Sequence, residues 1–439
     1  MNKNDRIVEL LKKSNRGMFA VYLIAASFIT YFSMYAFRKP FTAGTYEGLA
    51  LWGIDYKILA VFSQAIGYTL SKFLGIKIIA ELKPNQRIFG ILILISIAWI
   101  SLLAFAVVPL PYNLLFLFTN GLPLGMIWGV VYSFLEGRRL TELLGAGLST
   151  SFIVSSGAVK AVGRTMIINL GVSEFLMPFI TGLVFIPTLL LGAYLLSKVP
   201  SPNEEDIAHR TKRIPMDSKM RKQFFGEFSL GIILVTIIYV FLTIFRDLRD
   251  NFAVEIWSAI GFAERPDILA IAEIPIAITV MIIIGLMIII DDNRKAFYVN
   301  KLMIITAGFL LLATTVLFQQ NLISPIFWMI LNGFSMYLGY IAYHTFLFER
   351  WIAVFKIESN IGYLMYIVDA FGYLGSSLIL FSKSFLSVQL NWLQFFIKVS
   401  YITSAVTIIA GVSTLIYFVI KEKRFNEKLK AEPVGESNG

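Results

Sequence analysis

The residues equipped for chemistry are the few charges that interrupt long apolar runs. Arg38 and Lys39 close the first run, Lys72 lies in the second, and Lys160 and Arg164 lie in the fifth. The second half adds Arg246, Asp247, Arg249 and Asp250, then Glu273 and Asp369. A charge inside a bilayer costs about 2.5–3.5 kcal/mol or more, so each needs a partner or a task. Guanidinium offers a fork that fits phosphate or carboxylate oxygens in pairs, and ammonium adds a compact point charge. A carboxyl in a buried cavity can hold its proton toward neutral pH. Anion binding, ion pairing and proton transfer are therefore the three chemistries open to these positions.

Helical spacing gathers them into stripes. Tyr31, Tyr35 and Arg38 share one face of the first run, and Gln64, Tyr68 and Lys72 stack at intervals of four on the second. Ser156, Lys160 and Arg164 repeat the device, as do Tyr239, Thr243 and Arg246. Tyr366, Asp369 and Tyr373 form a further stripe, and Tyr340 with His344 another. A cavity lined by these faces is aromatic and net positive. Each position also has a plainer reading. Arg38 and Arg246 can snorkel or pair with an acid such as Glu47 or Asp250, and Lys72 can contact a ligand or pair with Glu273 or Asp369. Glu273 and Asp369 are either proton-coupling acids or ion-pair partners of Lys160, Arg164 or Lys72. His344 is either a packing residue or a proton shuttle, and His209 sits in a polar stretch as a solvated residue.

The elements that must position these stripes are membrane-spanning helices. The chain has 439 residues, 57% hydrophobic and 15% charged, with mean hydropathy +0.75; soluble chains carry roughly 25% charged residues. Runs of about twenty apolar residues cross a hydrocarbon layer of about 30 Å as helices, which satisfy their own backbone in lipid. Expected spans are 18–38 or longer, 57–80, 88–109, 112–136, 145–169, 174–197, 227–248, 267–290, 300–319, 324–348, 360–382 and 394–420. The net charge of +10 lies in short loops and tails, a topology bias and not a nucleic-acid footprint. It places both termini in the cytoplasm. The run beginning at Met18 is too long for a signal sequence and is expected to be retained. Without cysteine there is no thiol or disulfide chemistry. No Gly-rich phosphate loop, metal cluster or nucleophile elbow is present, so neither an enzyme nor a cofactor or metal site is expected.

The spans fall into two related halves. In order along the chain, Tyr31, Phe37 and Arg38 match Tyr239, Phe245 and Arg246; Gly75 and Glu81 match Gly285 and Asp291; Asn120-Gly121 matches Asn332-Gly333; Tyr132 and Arg138 match His344 and Arg350; Gly147 and Gly157 match Gly362 and Gly372. The expected architecture is an all-α polytopic membrane protein, with twelve transmembrane helices in two six-helix pseudo-symmetric bundles. Residues 1–17 form a head, 18–197 the first bundle, 198–225 a cytoplasmic linker, 226–420 the second bundle and 421–439 a tail. Spans 3, 6, 9 and 12 carry no charge in their interiors.

Two six-helix halves joined by a linker resemble the major facilitator superfamily, in which those four spans face lipid and the others line a central cavity. Tyr-Ala-Phe-Arg-Lys-Pro at 35–40 and Gly-Tyr-Thr-Leu-Ser-Lys-Phe-Leu-Gly at 67–75 resemble elements of the organophosphate:phosphate antiporters. That family includes the glycerol-3-phosphate and hexose-phosphate transporters and the glucose-6-phosphate translocases. The resemblance is specific over residues 31–75 and architectural elsewhere. It implies that Arg38 and Arg246 grip phosphate between the halves, with Lys39 and Lys72 as supporting positive charges; Tyr35, Tyr68 and Lys160, on the polar stripes, complete the expected substrate-binding set. The Gly-x-x-x-Asp-Arg-x-Gly turn after span 2 is reduced to Gly75, Glu81 and Arg87, and Asp247 beside Arg246 is placed to neutralise it. The expectation is a secondary transporter of a small organic anion in a bacterial inner membrane, working as a monomer. A proton-coupled sugar or carboxylate symporter using Glu273 or Asp369 is the alternative, as is a non-transporting sensor or assembly protein.

Overall fold

The computed structural model describes residues 3–135, 138, 141–201, 204, 218–345, 347–356, 361–385 and 391–431. A head helix, Lys3–Lys13, precedes twelve long helices. In the first half these are α1 (Arg16–Tyr35), α2 (Tyr56–Glu81), α3 (Arg87–Val107), α4 (Leu114–Tyr132), α5 (Thr141–Leu170) and α6 (Met177–Ser197). In the second they are α7 (Ser218–Asn251), α8 (Glu273–Ile288), α9 (Asn293–Gln319), α10 (Pro325–Thr345), α11 (Ile361–Phe385) and α12 (Trp392–Ala431). Ten stretches of these are long and apolar enough to cross a membrane, and α2 and α11 complete the twelve. The chain is an integral membrane protein, and an even number of crossings brings both described ends to one face, here the terminal face.

Local chemistry sets the ends. The Asn15 side chain accepts from Met18 N at 2.8 Å and starts α1. Asp292 does the same for Lys295 N at the start of α9. α1 stops at Tyr35, three residues short of the expected end, because Pro40 cannot continue a helix. The chain then turns, makes a buried 3-10 turn at Pro40–Ala43 and a small hairpin pairing Ala50 with Asp55, and enters α2. α7 is kinked at Phe228.

Several of the expected span ends move outward. α9 begins at Asn293, not 300, which moves Lys301 from the edge of the expected span to about two turns inside the helix. That corrects the expectation of uncharged outer spans: Lys301 is buried, and its ammonium lies 4.2 Å from the Phe418 ring centre and 5.1 Å from that of Phe297. Ring quadrupoles supply there the stabilisation that an acid would otherwise give. α12 runs to Ala431, beyond the expected end at 420. Most of the linker lies outside the described residues.

The two bundles have separate apolar cores toward the terminal face, one around Leu23, Ile95, Leu124 and Leu148, the other around Phe228, Phe297, Trp351 and Phe418. Toward the opposite face a single core runs through both, joining Phe41, Tyr56 and Ile153 to Phe252, Trp257 and Leu269. Gly157 of α5 makes the join possible: a β-carbon there would lie 2.1 Å from the Leu269 carbonyl oxygen. The bundles are thus fastened together at the opposite face.

Candidate functional site

Polar side chains cross the seam between the bundles in layers, and α2 supplies a ruler. It enters at the opposite face, and Lys57 and Lys72 on it are separated by about 22 Å along the axis at 1.5 Å per residue. Lys57, almost fully buried, pairs with Glu255 of the second half. Next comes Asp250, at the end of α7. Lys39 pairs with one of its oxygens, Lys160 with the other at 2.7 Å, and Ser156 donates to it as well. Lys39 also donates to the Asn251 side chain at 2.8 Å, and Lys160 to the Asp250 carbonyl at 2.7 Å.

The central layer contains both arginines singled out by the repeat. Arg38 lies beyond the end of α1, and its carbonyl accepts from Gln64 Nε2 at 2.8 Å, which ties it to the middle of α2. Its guanidinium sits over Tyr68, 3.8 Å from the ring centre, and Tyr35 lies at 5.8 Å. Among the described residues no acid pairs with Arg38, and its Nε is buried without a hydrogen bond. Arg246 differs. Asp247 accepts from its Nη2 at 2.7 Å and its Nε at 3.0 Å, and its Nη1 donates to the Tyr340 hydroxyl. Tyr68 and Tyr373 meet between the two arginines with ring centres 5.6 Å apart, and Arg246 lies 5.6 Å from Tyr373. The two arginines therefore flank one aromatic pair built from both bundles.

One layer toward the terminal face, Lys72 pairs with Asp369 at 2.7 Å. The ammonium also faces both rings, 5.5 Å from Tyr68 and 5.1 Å from Tyr373. The other Asp369 oxygen accepts from Tyr239, whose hydroxyl is 2.9 Å from that of Tyr340.

The structure thus brings Arg38, Lys72, Arg246, Tyr35, Tyr68 and Asp369 into one locality and places Lys39 and Lys160 in the neighbouring Asp250 layer. Glu273 lies apart. It pairs with Arg249 at 2.6 Å inside the second bundle, not with Lys160, Arg164 or Lys72. Among the described residues, Arg164 reaches the Ala43 carbonyl, at 3.5 Å. His344 lies on α10, but its side chain falls outside the described residues, as do the Tyr366 side chain and His209. Sequence reasoning passed over Lys57 and Glu255, since one opens a span and the other follows one. Their signal was a charge of each sign at the same end of the two halves.

In each of these inter-bundle ion pairs the cation belongs to the first bundle and the acid to the second. With Arg38 facing no acid among the described residues, the described side chains of the seam are more positive than negative. Such a site can accept an anion.

The architecture is that of known transporters. A major facilitator superfamily proton:xylose symporter, XylE, bound to 6-bromo-6-deoxy-D-glucose is similar at 13% identity and TM-score 0.59, over 91% of this chain and 95% of that one. The nucleoside transporter NupG is similar at 15% identity and TM-score 0.59, over 91% and 98%. A bacterial homologue of the human lysosomal transporter Spinster, inward-facing and unoccupied, is similar at 13% identity and TM-score 0.53, over 94% and 97%. At such identities the likeness establishes the major facilitator fold alone. No curated protein sequence matches the chain. A family model does match residues 40–421, and on that extent the chain belongs to the family of unknown function DUF5690.

Proposed function

We propose that this protein is a secondary transporter of a small organic anion, held between the two bundles and released by alternating access. One observation carries the reading: Arg38, with no acidic partner among the described residues, faces an aromatic pair contributed by both bundles. An uncompensated guanidinium at membrane depth is expensive unless an anion completes it, and a solute held by both bundles can draw the rocking bodies together. The resemblance at residues 35–40 and 67–75 favours a phosphorylated metabolite. The fastening at the opposite face then corresponds to a state closed on that side. By the loop charges, the terminal face is cytoplasmic, and the membrane is a bacterial inner membrane.

Proteoliposome uptake of radiolabelled organic phosphates tests the reading. Arg38→Ala is expected to abolish uptake, and Arg246→Ala to reduce it at least tenfold. Uptake left intact in Arg38→Ala would falsify the assignment. No movement of any phosphate or carboxylate from a broad panel would favour a non-transporting role.

A further inference from the structure

Arg38 and Arg246 hold matched places in the two halves, yet the residues that follow them differ in charge: Lys39 after Arg38, Asp247 after Arg246. Lys39 leaves its neighbour and crosses the seam to Asp250 and Asn251. Asp247 turns onto its neighbour, and one of its oxygens accepts twice, from Arg246 Nη2 at 2.7 Å and from Nε at 3.0 Å. Among the described residues it is the one acid paired with Arg246.

Helix geometry does not impose this contact. Consecutive side chains leave a helix about 100° apart and do not face each other, so Arg246 folds its long side chain back to reach Asp247. The contact is also incomplete. A guanidinium edge offers two parallel N–H groups, and a carboxylate or phosphoryl group that fits it supplies two oxygens, whereas Asp247 supplies one. The pair lies within α7 and joins no element to another, unlike the four ion pairs that cross the seam. Its exchange leaves those ties in place. Arg246 and Asp247 are each 14% exposed, where Lys57 and Lys160 are 1% and 4%, so this edge is the more open to a solute.

We propose that Asp247 stands in for the substrate's anionic group on Arg246 and sets the charge of the anion this site takes. Among the described residues of the central and Lys72 layers, Arg38, Arg246 and Lys72 meet Asp247 and Asp369, which leaves one positive charge in excess. An incoming anion takes the Arg246 edge, and Asp247 swings off it but stays close by as a like charge. The penalty for that closeness grows with the charge on the solute. A single negative charge matches the excess: a carboxylate, a sulfate ester, a phosphodiester or a phosphate monoester that keeps one proton. A second charge meets Asp247. This rests on the anion-transport reading and adds the charge state of its substrate, with Asp247 as the residue that determines it.

The test is binding of matched sulfate and phosphate esters of sugars and polyols, such as glucose 6-sulfate and glucose 6-phosphate, to the purified full chain in lipid nanodiscs. At about pH 8 the sulfate carries one charge, and the phosphate, with its second pKa near about 6, carries two. The quantity read is the ratio of the two affinities. Asp247→Asn keeps the shape and an accepting oxygen but not the charge, and it should shift the ratio toward the phosphate by at least about tenfold. Asp247→Ser, a second neutral variant, should shift it the same way, and Asp247→Glu should restore it. A purely structural role would weaken both esters alike and leave the ratio alone. A ratio left unchanged, or moved toward the sulfate, in either folded neutral variant overturns the proposal, while binding by the unmodified protein leaves the anion reading standing. Absence of binding by sulfates and phosphates in the unmodified and neutral chains alike overturns the anion reading, and the proposal falls with it.

Discussion

The two bundles repeat one helical frame but fill its polar positions differently. In the first, Asn120 is a hub: it accepts from Gln64 at 2.7 Å and donates to the carbonyls of Phe37 and Ala98 at 2.9 and 2.8 Å. Gly121 beside it lets α2 and α4 touch, since a β-carbon there would lie 2.4 Å from the Gln64 carbonyl oxygen. In the second bundle Asn332 is as buried, yet neither side-chain polar atom has a hydrogen bond among the described residues. The space at Gly333 is taken by Ile276 and by the Arg249 guanidinium, which pairs with Glu273 and donates to the Met329 carbonyl at 3.3 Å. A neutral hydrogen-bonded hub holds one bundle, and a buried ion pair holds the other. The repeat thus preserved the places where small residues permit close approach, while the means of satisfying polar atoms diverged.

The largest effect should come from splitting the ion pair. Arg249→Leu leaves Glu273 buried and uncompensated, which costs about 3–5 kcal/mol, whereas Arg249→Leu with Glu273→Leu should recover most of that loss. Thermal unfolding of the detergent-purified variants measures both. If the double variant is no more stable than the single one, the pair is not what organises the second bundle.

A middle-sized effect separates the two asparagines. Asn120→Ala strands three partners and should cost about 1–3 kcal/mol. Asn332→Ala removes groups that have no partner among the described residues and should be close to neutral. Equal losses in the same unfolding assay would erase the contrast.

The smallest effect concerns the turns after the second helix of each bundle. In the second bundle the Asp292 carboxylate accepts from Lys295 N at 2.9 Å at a helix start, which holds its pKa below the usual carboxylate value. A depressed carboxylate contributes stability above its unfolded pKa and loses it as pH falls through the folded value. Asp292→Ala should therefore lower the melting temperature slightly at neutral pH, and the gap should close in acid. In the first bundle's turn the matching contact is between Lys83 N and Gln86, at 3.3 Å, so Gln86→Ala should show no such pH dependence. A gap at Asp292 that persists at low pH would mean that the side chain acts by some means other than its charge.

Much of this frame was legible in the sequence because bilayers impose a simple rule on it. Every span had to be apolar for about twenty residues, and the matches at Arg38/Arg246 and Asn120/Asn332 gave the two bundles. Lys72 beside Asp369 was also within reach, as a lysine with no acid on its own face. Depth was not. The run to Phe37 reads as one helix, which puts Arg38 near the far surface; the chain instead turns after Tyr35 and lays Arg38 beside Gln64. Partner choice was not legible either. Arg249 and Asp250 are adjacent in sequence, yet one turns into its own bundle toward Glu273 and the other across the seam toward Lys39 and Lys160. One residue on a helix rotates a side chain by about 100°, enough to change which bundle it serves.

The polarity of the seam bears on how the halves recognise one another. Duplicated bundles face a pairing ambiguity: two first halves offer one another almost the same helical surface as a first half offers a second. Here the four lysines on one side, Lys39, Lys57, Lys72 and Lys160, would meet only lysines in such a mispairing, and Asp250, Glu255 and Asp369 would meet only acids. The ladder therefore acts as an address. Two half-chains cut within the linker and produced together should assemble as unlike partners, with the connecting segment contributing proximity and not identity.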